Sequence, residues 1–272
     1  MPDHLFNIDD QVVVITGALG QLGRQFSRTL LERGARVAAL DLPEALATAP
    51  EQLGEWHTHE RLMLLSADVV QRDSLQKALQ RIEAQWGAPT GLVNNAALDS
   101  PPNAPANENG PFEDYPEESW DKVMAVNTKG PFLCCQVFGQ AMAQAGRGCI
   151  INIASIYGLV SPDQRLYEYR RQQGAAFYKP VAYSASKSAL FNLTRYLATY
   201  WASCGVRVNT LTFAGVFNHQ DEQFLQNYLA RVPLGRMARP DEYNGAVVFL
   251  LSPAAAYITG ANIVLDGGWT AW

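Results

Sequence analysis

Short apolar, β-branched runs alternate with amphipathic stretches along nearly the whole chain. Residues 11–16, 36–40, 61–69, 90–97, 149–155, 206–211 and 262–265 have the β-branched or continuous apolar character of buried strands. Helical periodicity covers residues 24–33, 73–86, 119–145, 182–203, 222–231 and 241–251. Repeated strand–helix units imply right-handed crossovers, a parallel sheet and helices on both faces. The pattern therefore predicts an α/β fold with a doubly wound parallel sheet. Two stretches break the rhythm, at 98–117 and 156–181, and both follow strands.

In such sheets ligands bind outside the carboxyl ends of the strands. Gly17, Asp41, Asp68, Asn94 and Ser155 all fall at expected strand ends. The first strand runs into Gly17-Ala18-Leu19-Gly20-Gln21-Leu22-Gly23, and a helix follows. Strand, glycine-rich turn and helix together form the context of a dinucleotide site, in which glycine allows backbone to approach a pyrophosphate. A plain βα turn is the bland alternative. Asp41 closes the second strand, where a carboxylate accepts from ribose hydroxyls and repels a 2′-phosphate. Leu42-Pro43 follow it with no arginine, which favours NAD over NADP.

Tyr183 and Lys187 lie four residues apart, on one face of a helix and one turn from each other. An ammonium beside a phenol favours the phenolate, which suits proton exchange with a substrate hydroxyl. Alone, this spacing is common on surface helices. Its weight comes from the glycine turn and from Ser155 at a strand end.

Composition narrows the classes. With 272 residues, 48% of them apolar, the chain suffices for one sizeable α/β core, and no linker or repeat divides it, so a single domain over 1–272 is expected. The net charge of −5 gives no nucleic-acid footprint. No apolar stretch is long enough to span a membrane, and the N-terminus is not a secretory one. Cys134, Cys135, Cys149 and Cys204 lack metal spacing and read as buried thiols in a reducing cytoplasm.

These motifs jointly resemble the short-chain dehydrogenases/reductases in their single-domain branch. Thr16-Gly17 with the following glycines, Asn94-Asn95-Ala96, Asn127, Ser155, Tyr183-x-x-x-Lys187, Val208-Asn209 and Leu265-Asp266-Gly267-Gly268 carry the resemblance, over 12–268. It implies a seven-stranded Rossmann sheet, hydride transfer between a nicotinamide and a carbinol or carbonyl carbon, and a homo-oligomer, tetramer or dimer. The catalytic set it implies is Asn127, Ser155, Tyr183 and Lys187, with Asn127 in a proton relay. NAD contacts would come from Gly17, Leu19, Gln21, Leu22, Asp41, Ala67, Asp68, Val69, Asn95, Ala96, Tyr183, Lys187, Gly215 and Val216.

The chain departs from the family pattern in four places. Gln21 stands where the middle glycine is usual, Ala97 replaces a glycine, and Ala214-Gly215 replaces Pro-Gly. The fourth departure is an unusually long segment: 27 residues separate Ser155 from Tyr183 and include Tyr157, Arg165, Arg170, Arg171 and Lys179. Tied to a catalytic residue at each end, this segment is expected to overhang the substrate pocket. Arginines suit bidentate recognition of anions and tyrosines suit sugar hydroxyls. Ser155, Tyr157, Arg165, Arg170, Arg171 and Tyr183 are therefore the expected substrate contacts. A solvated loop or a subunit contact is the alternative for this segment. Ser155-Ile156-Tyr157-Gly158 and Asn218-His219-Gln220 resemble carbohydrate-related members, which points to a sugar, polyol or sugar acid, with an anionic group in scope. A sugar-nucleotide epimerase or dehydratase with tightly held NAD, or a non-catalytic NAD-binding protein, are the competing functions.

Overall fold

A computed structural model describes residues 4–99 and 108–272. Its strands are β1 (Val12–Thr16), β2 (Arg36–Asp41), β3 (Leu62–Ser66), β4 (Gly91–Asn94), β5 (Gly148–Ser155), β6 (Val206–Phe213) and β7 (Asn262–Leu265). They form one parallel sheet in the order β3-β2-β1-β4-β5-β6-β7. The direction of winding reverses between β1 and β4, which opens a crevice at their carboxyl ends. Register brings the ends together, with Thr16 beside Leu40, Asn94 beside Asn152 and Ser155 beside Phe213.

Alternation along each buried strand feeds two cores. From β1, Val12 and Val14 join one face with Leu75, Phe138, Met142 and Leu197. Val13 and Ile15 join the other with Phe26, Leu30, Val247 and Leu251. The helices on these faces include α1 (Gln21–Glu32), α2 (Arg72–Trp86), a helical rod opened by α3 (Glu117–Met124), α4 (Val181–Tyr200) and α6 (Asn244–Leu251), while α5 (Glu222–Leu229) packs in a separate core.

Two boundaries and the interior of one helix differ from the sequence expectation. Helix α1 starts at Gln21 rather than near 24, so Gly23 lies inside it; a Cβ there would sit 2.2 Å from the Gly17 carbonyl oxygen. Gly23 thus serves close packing of the helix over the turn. The rod runs on to Gln140–Gln144 through two π turns, Ala125–Lys129 and Cys135–Gly139, the first of which contains Asn127. Strand β3 stops at Ser66, two residues before Asp68.

The 156–181 segment is not an open loop. It holds helical turns at Ile156–Leu159, Gln164–Tyr167 and Glu168–Gln172. Its apolar side chains build a third core with the region after β6, where Ile156, Tyr157, Leu166 and Tyr167 meet Tyr228, Val232, Met237 and Trp269. Tyr167 packs between Phe177 and Phe224, with ring centroids 4.9 and 5.7 Å away. Of the other interrupted stretch, residues 100–107 lie outside the described residues.

Candidate active site

The glycine turn is held open by its neighbours. Thr16 Oγ1 accepts from the amides of Asn95 and Ala96, both at 3.1 Å, and Asn95 Nδ2 donates to the carbonyls of Thr16 and Gly17. Gly17 has φ of +61° and lies so near β4 that a Cβ would meet Ala96 Cα at 2.8 Å, so only glycine suits this position. Helix α1 begins with no side-chain cap and no acidic residue in its first turn. Its first amides are therefore available to a diphosphate. Asp41 Oδ2 accepts from the Leu19 amide at 2.8 Å and Oδ1 from the Leu42 amide at 2.9 Å, which sets the carboxylate beside the turn. These residues fit a dinucleotide whose adenosine ribose has free hydroxyls.

The other expected cofactor residues fall in three groups. Ala67 and Val69 are buried, leaving only backbone to a ligand, and Asp68 is braced by its amide on Ser74 Oγ and by the Val70 amide on its carboxylate. Gln21, Leu22 and Asn95 line a cleft of about 730 Å³ that also contains Ser155, Tyr183 and Lys187. Gly215 and Val216 line its far wall. There the Gly215 amide donates to the Tyr228 hydroxyl at 2.7 Å, and a Cβ on Gly215 would strike Met237 and Tyr228. Gln21 has a use of its own in place of the usual glycine, since its Nε2 donates to the Phe217 carbonyl at 3.0 Å and ties the turn to the segment after β6.

Ser155, at the end of β5, accepts the Tyr157 amide on its hydroxyl at 3.2 Å and hydrogen-bonds the Tyr183 side chain. Lys187, one turn along α4, donates from Nζ to the Ile153 carbonyl at 2.8 Å, and that Nζ lies 5.9 Å from the Tyr183 ring centre. Burial lowers the Lys187 pKa to about 8, against the pull of Asp99. For Tyr183 the sequence expectation of a lowered pKa is corrected. Burial is the largest effect and raises it, the Asp99 charge raises it further, and only the Ser155 hydrogen bond acts downward. Lys187 faces a carbonyl rather than the phenol, so in this state its charge does not offset the desolvation.

Asn127 buttresses the cluster. Its Oδ1 accepts from the Leu98 amide at 2.7 Å, while Nδ2 donates to the Leu98 carbonyl and to Ser186 Oγ. Ser186 Oγ donates in turn to the Tyr183 carbonyl at 2.8 Å, pinning the first turn of α4. With the Asn127 amide fully engaged, its backbone carbonyl is the group left for a relay. Pro131, four residues on, has no N–H to give that carbonyl.

A family model described as enoyl-(acyl carrier protein) reductase matches residues 17–270. The NAD-dependent glycerol dehydrogenase of Listeria innocua is 32% identical, covering 98% of this chain and 97% of its own. The chain belongs to the short-chain dehydrogenase/reductase family. The D-threitol dehydrogenase of Mycolicibacterium smegmatis is 34% identical to this short-chain dehydrogenase/reductase over 98% of the chain and 96% of that protein. A crystal structure of a short-chain dehydrogenase from Leptospira borgpetersenii with bound NAD+ superposes with a TM-score of 0.85 at 33% identity, over 99% of this chain and 96% of that one.

Among the expected substrate residues of this family member, Ser155, Tyr157, Arg170 and Tyr183 line the cleft. Arg165 and Arg171 do not, and that expectation is corrected. The Arg165 side chain is 80% exposed and pairs with Asp163. Arg171 is turned inward on the carbonyls of Phe177 and Gln164, both at 2.8 Å, and on Glu168. Short-range hydrogen bonds within the segment capture both guanidinium groups before they can reach the pocket. Residues that the sequence left without a role and that also line the cleft include Asp99, Tyr167, Lys179, Asp221 and Tyr228. Asp99, Asp221 and Tyr228 lie far in sequence from Tyr183, whereas Tyr167 and Lys179 belong to the segment before it, where sequence does not show which side chains turn inward.

Proposed function

We propose that this protein is an NAD-dependent oxidoreductase that interconverts a secondary alcohol and a carbonyl in a polyol or sugar. The observation that carries this is the hydrogen-bonded Ser155–Tyr183 pair beside buried Lys187, in one cleft with Gln21, Leu22 and Asn95 of the glycine-turn region. Relatives named for glycerol and D-threitol point to a polyol, and the NAD named for one relative and bound in the Leptospira structure matches Asp41.

When bound, NAD supplies a hydride acceptor and, in its oxidised form, a positively charged ring. In the oxidative direction Tyr183, as the phenolate left once its own proton has passed along the relay to solvent, accepts the proton of the substrate hydroxyl. Ser155 hydrogen-bonds the same substrate oxygen, fixes its position and stabilises the charge that develops there. Lys187, a cation at neutral pH, favours the phenolate once Tyr183 has lost its proton. Asn127 positions this group through Ser186, and its carbonyl lies on the relay to solvent. The diphosphate is held by the turn from Gly17 to Leu22, the ribose by Asp41, and the remainder by Ala67, Asp68, Val69, Asn95, Ala96, Gly215 and Val216. We also infer a cytoplasmic homo-oligomer. Stacked Tyr196 and Tyr200, each 63% exposed on α4, support such an assembly.

Incubation with NAD+ and glycerol, threitol or galactitol, followed at 340 nm, tests the function. A dehydrogenase accumulates NADH in proportion to substrate consumed. An epimerase or dehydratase recycles its cofactor and releases none, and a non-catalytic NAD-binding protein leaves the substrate unchanged.

A further inference from the structure

The arginines of the 156–181 segment are not free to clamp an anion. Arg165 and Arg171 lie outside the cleft, and Arg170, which borders it, is bound to Asp221 at 3.0 Å and stacked 4.5 Å from the Phe177 ring centre. One further cation from this segment does enter. Lys179 stands four residues before Tyr183, and its backbone is clasped in both directions by the Gln164 side chain, at 2.9 and 3.0 Å. Its side chain is only 10% exposed, its Nζ lies 5.0 Å from the Tyr183 ring centre, and it is paired with Asp99 from the loop after β4. Asp99 and Lys179 both border the cleft with Tyr183. Each cation that the segment adds to the cleft is thus accompanied by a carboxylate.

We infer that the Asp99–Lys179 pair is a subsite for a hydroxyl on the carbon next to the reacting one, and that it selects uncharged polyols over sugar acids. The inference rests on the dehydrogenase function proposed above. An ammonium donates to a hydroxyl oxygen and a carboxylate accepts the hydroxyl hydrogen, so the pair satisfies both ends of one O–H group. An acid substrate reaching Lys179 would bring its carboxylate against Asp99, and like charges so close disfavour binding. Only the lysine end of the pair is buried; the Asp99 side chain is 52% exposed, so its carboxylate remains accessible from the cleft.

Three four-carbon probes separate the roles: D-threitol, 2-butanol and threonate, each with NAD+. For the wild type, kcat/KM is expected to be highest with threitol. Lys179→Met and Asp99→Asn each lower it by about ten- to hundredfold with threitol, mainly through KM. The loss with 2-butanol is at least tenfold smaller. Parallel losses with both alcohols in both variants, or a wild type that prefers threonate, overturn the inference. Titration of threitol into each protein saturated with NADH, read by calorimetry, decides the subsite independently of turnover. A wild type that binds threitol but forms no NADH from any alcohol counts against the dehydrogenase function, whereas equal threitol affinity in wild type and both variants counts against the subsite alone.

Discussion

Replacing Lys187 by methionine tests whether the cluster holds a catalytic cation at the expense of stability. Lys187 is 4% exposed, and burial takes its pKa from the ordinary 10.5 to about 8. Between those values the unfolded chain binds more protons than the folded one, so this group's contribution makes stability rise with pH. Below about pH 8 the full cost applies, about 3 kcal/mol for a shift of this size. By pH 9.5 about 2 kcal/mol of it has disappeared, because the folded lysine has lost its proton while the unfolded one still holds most of its own. Methionine carries no charge and removes the pH-dependent cost, while forfeiting the hydrogen bond to the Ile153 carbonyl, a roughly pH-independent loss of about 1–3 kcal/mol. Urea unfolding of both proteins at pH 7 and 9.5 isolates the effect, because all other titrations cancel in the difference. The stability of Lys187→Met relative to wild type should fall by about 2 kcal/mol between the two pH values. A difference that does not change with pH would refute the claim that burial has displaced this lysine's titration.

Thr16→Val removes the acceptor shared by the Asn95 and Ala96 amides while keeping the side chain's shape, and Thr16 itself is buried. The expected cost is about 2–5 kcal/mol for two orphaned donors, measured by urea unfolding, and a cost under about 0.5 kcal/mol would contradict the bracing role given to this threonine. Asp41→Ser removes the carboxylate beside the Leu19 amide. It is expected to weaken NAD binding about tenfold and to narrow the preference over NADP by at least as much, which cofactor titrations followed by fluorescence will read. Unchanged discrimination would remove Asp41 from the ribose site.

The architecture was legible because buried parallel strands leave a strong mark. A run such as Val12–Thr16 is apolar on both faces, and repeated strand–helix units imply a parallel sheet. The clustering of Ser155, Tyr183 and Lys187 in one cleft was legible through a local spacing, Tyr183 to Lys187, and a strand end, Ser155. What stayed hidden depends on side-chain direction. Arg165, Arg170 and Arg171 look equivalent in a sequence, yet neighbouring carbonyls and carboxylates decide that only Arg170 reaches the cleft. Lys179 was hidden likewise, because Gln164 and Asp99, which fix it, lie 15 and 80 residues away. The raised pKa of Tyr183 reflects enclosure by residues from separate elements, which spacing along one helix does not encode. The sequence marked Gln21 as a long polar side chain where the family has glycine, but its tie to the Phe217 carbonyl, 196 residues away, was not visible there.

The central claim is that Tyr183 exchanges the substrate proton while the cofactor site stands apart from it. Tyr183→Phe keeps the ring and removes only the hydroxyl bonded to Ser155. The decisive measurement pairs NADH formation at 340 nm, on a polyol that the wild type oxidises, with NAD affinity for the same variant. The account predicts that kcat falls by at least about a hundredfold while the NAD dissociation constant stays within about threefold. Turnover retained in Tyr183→Phe would contradict it.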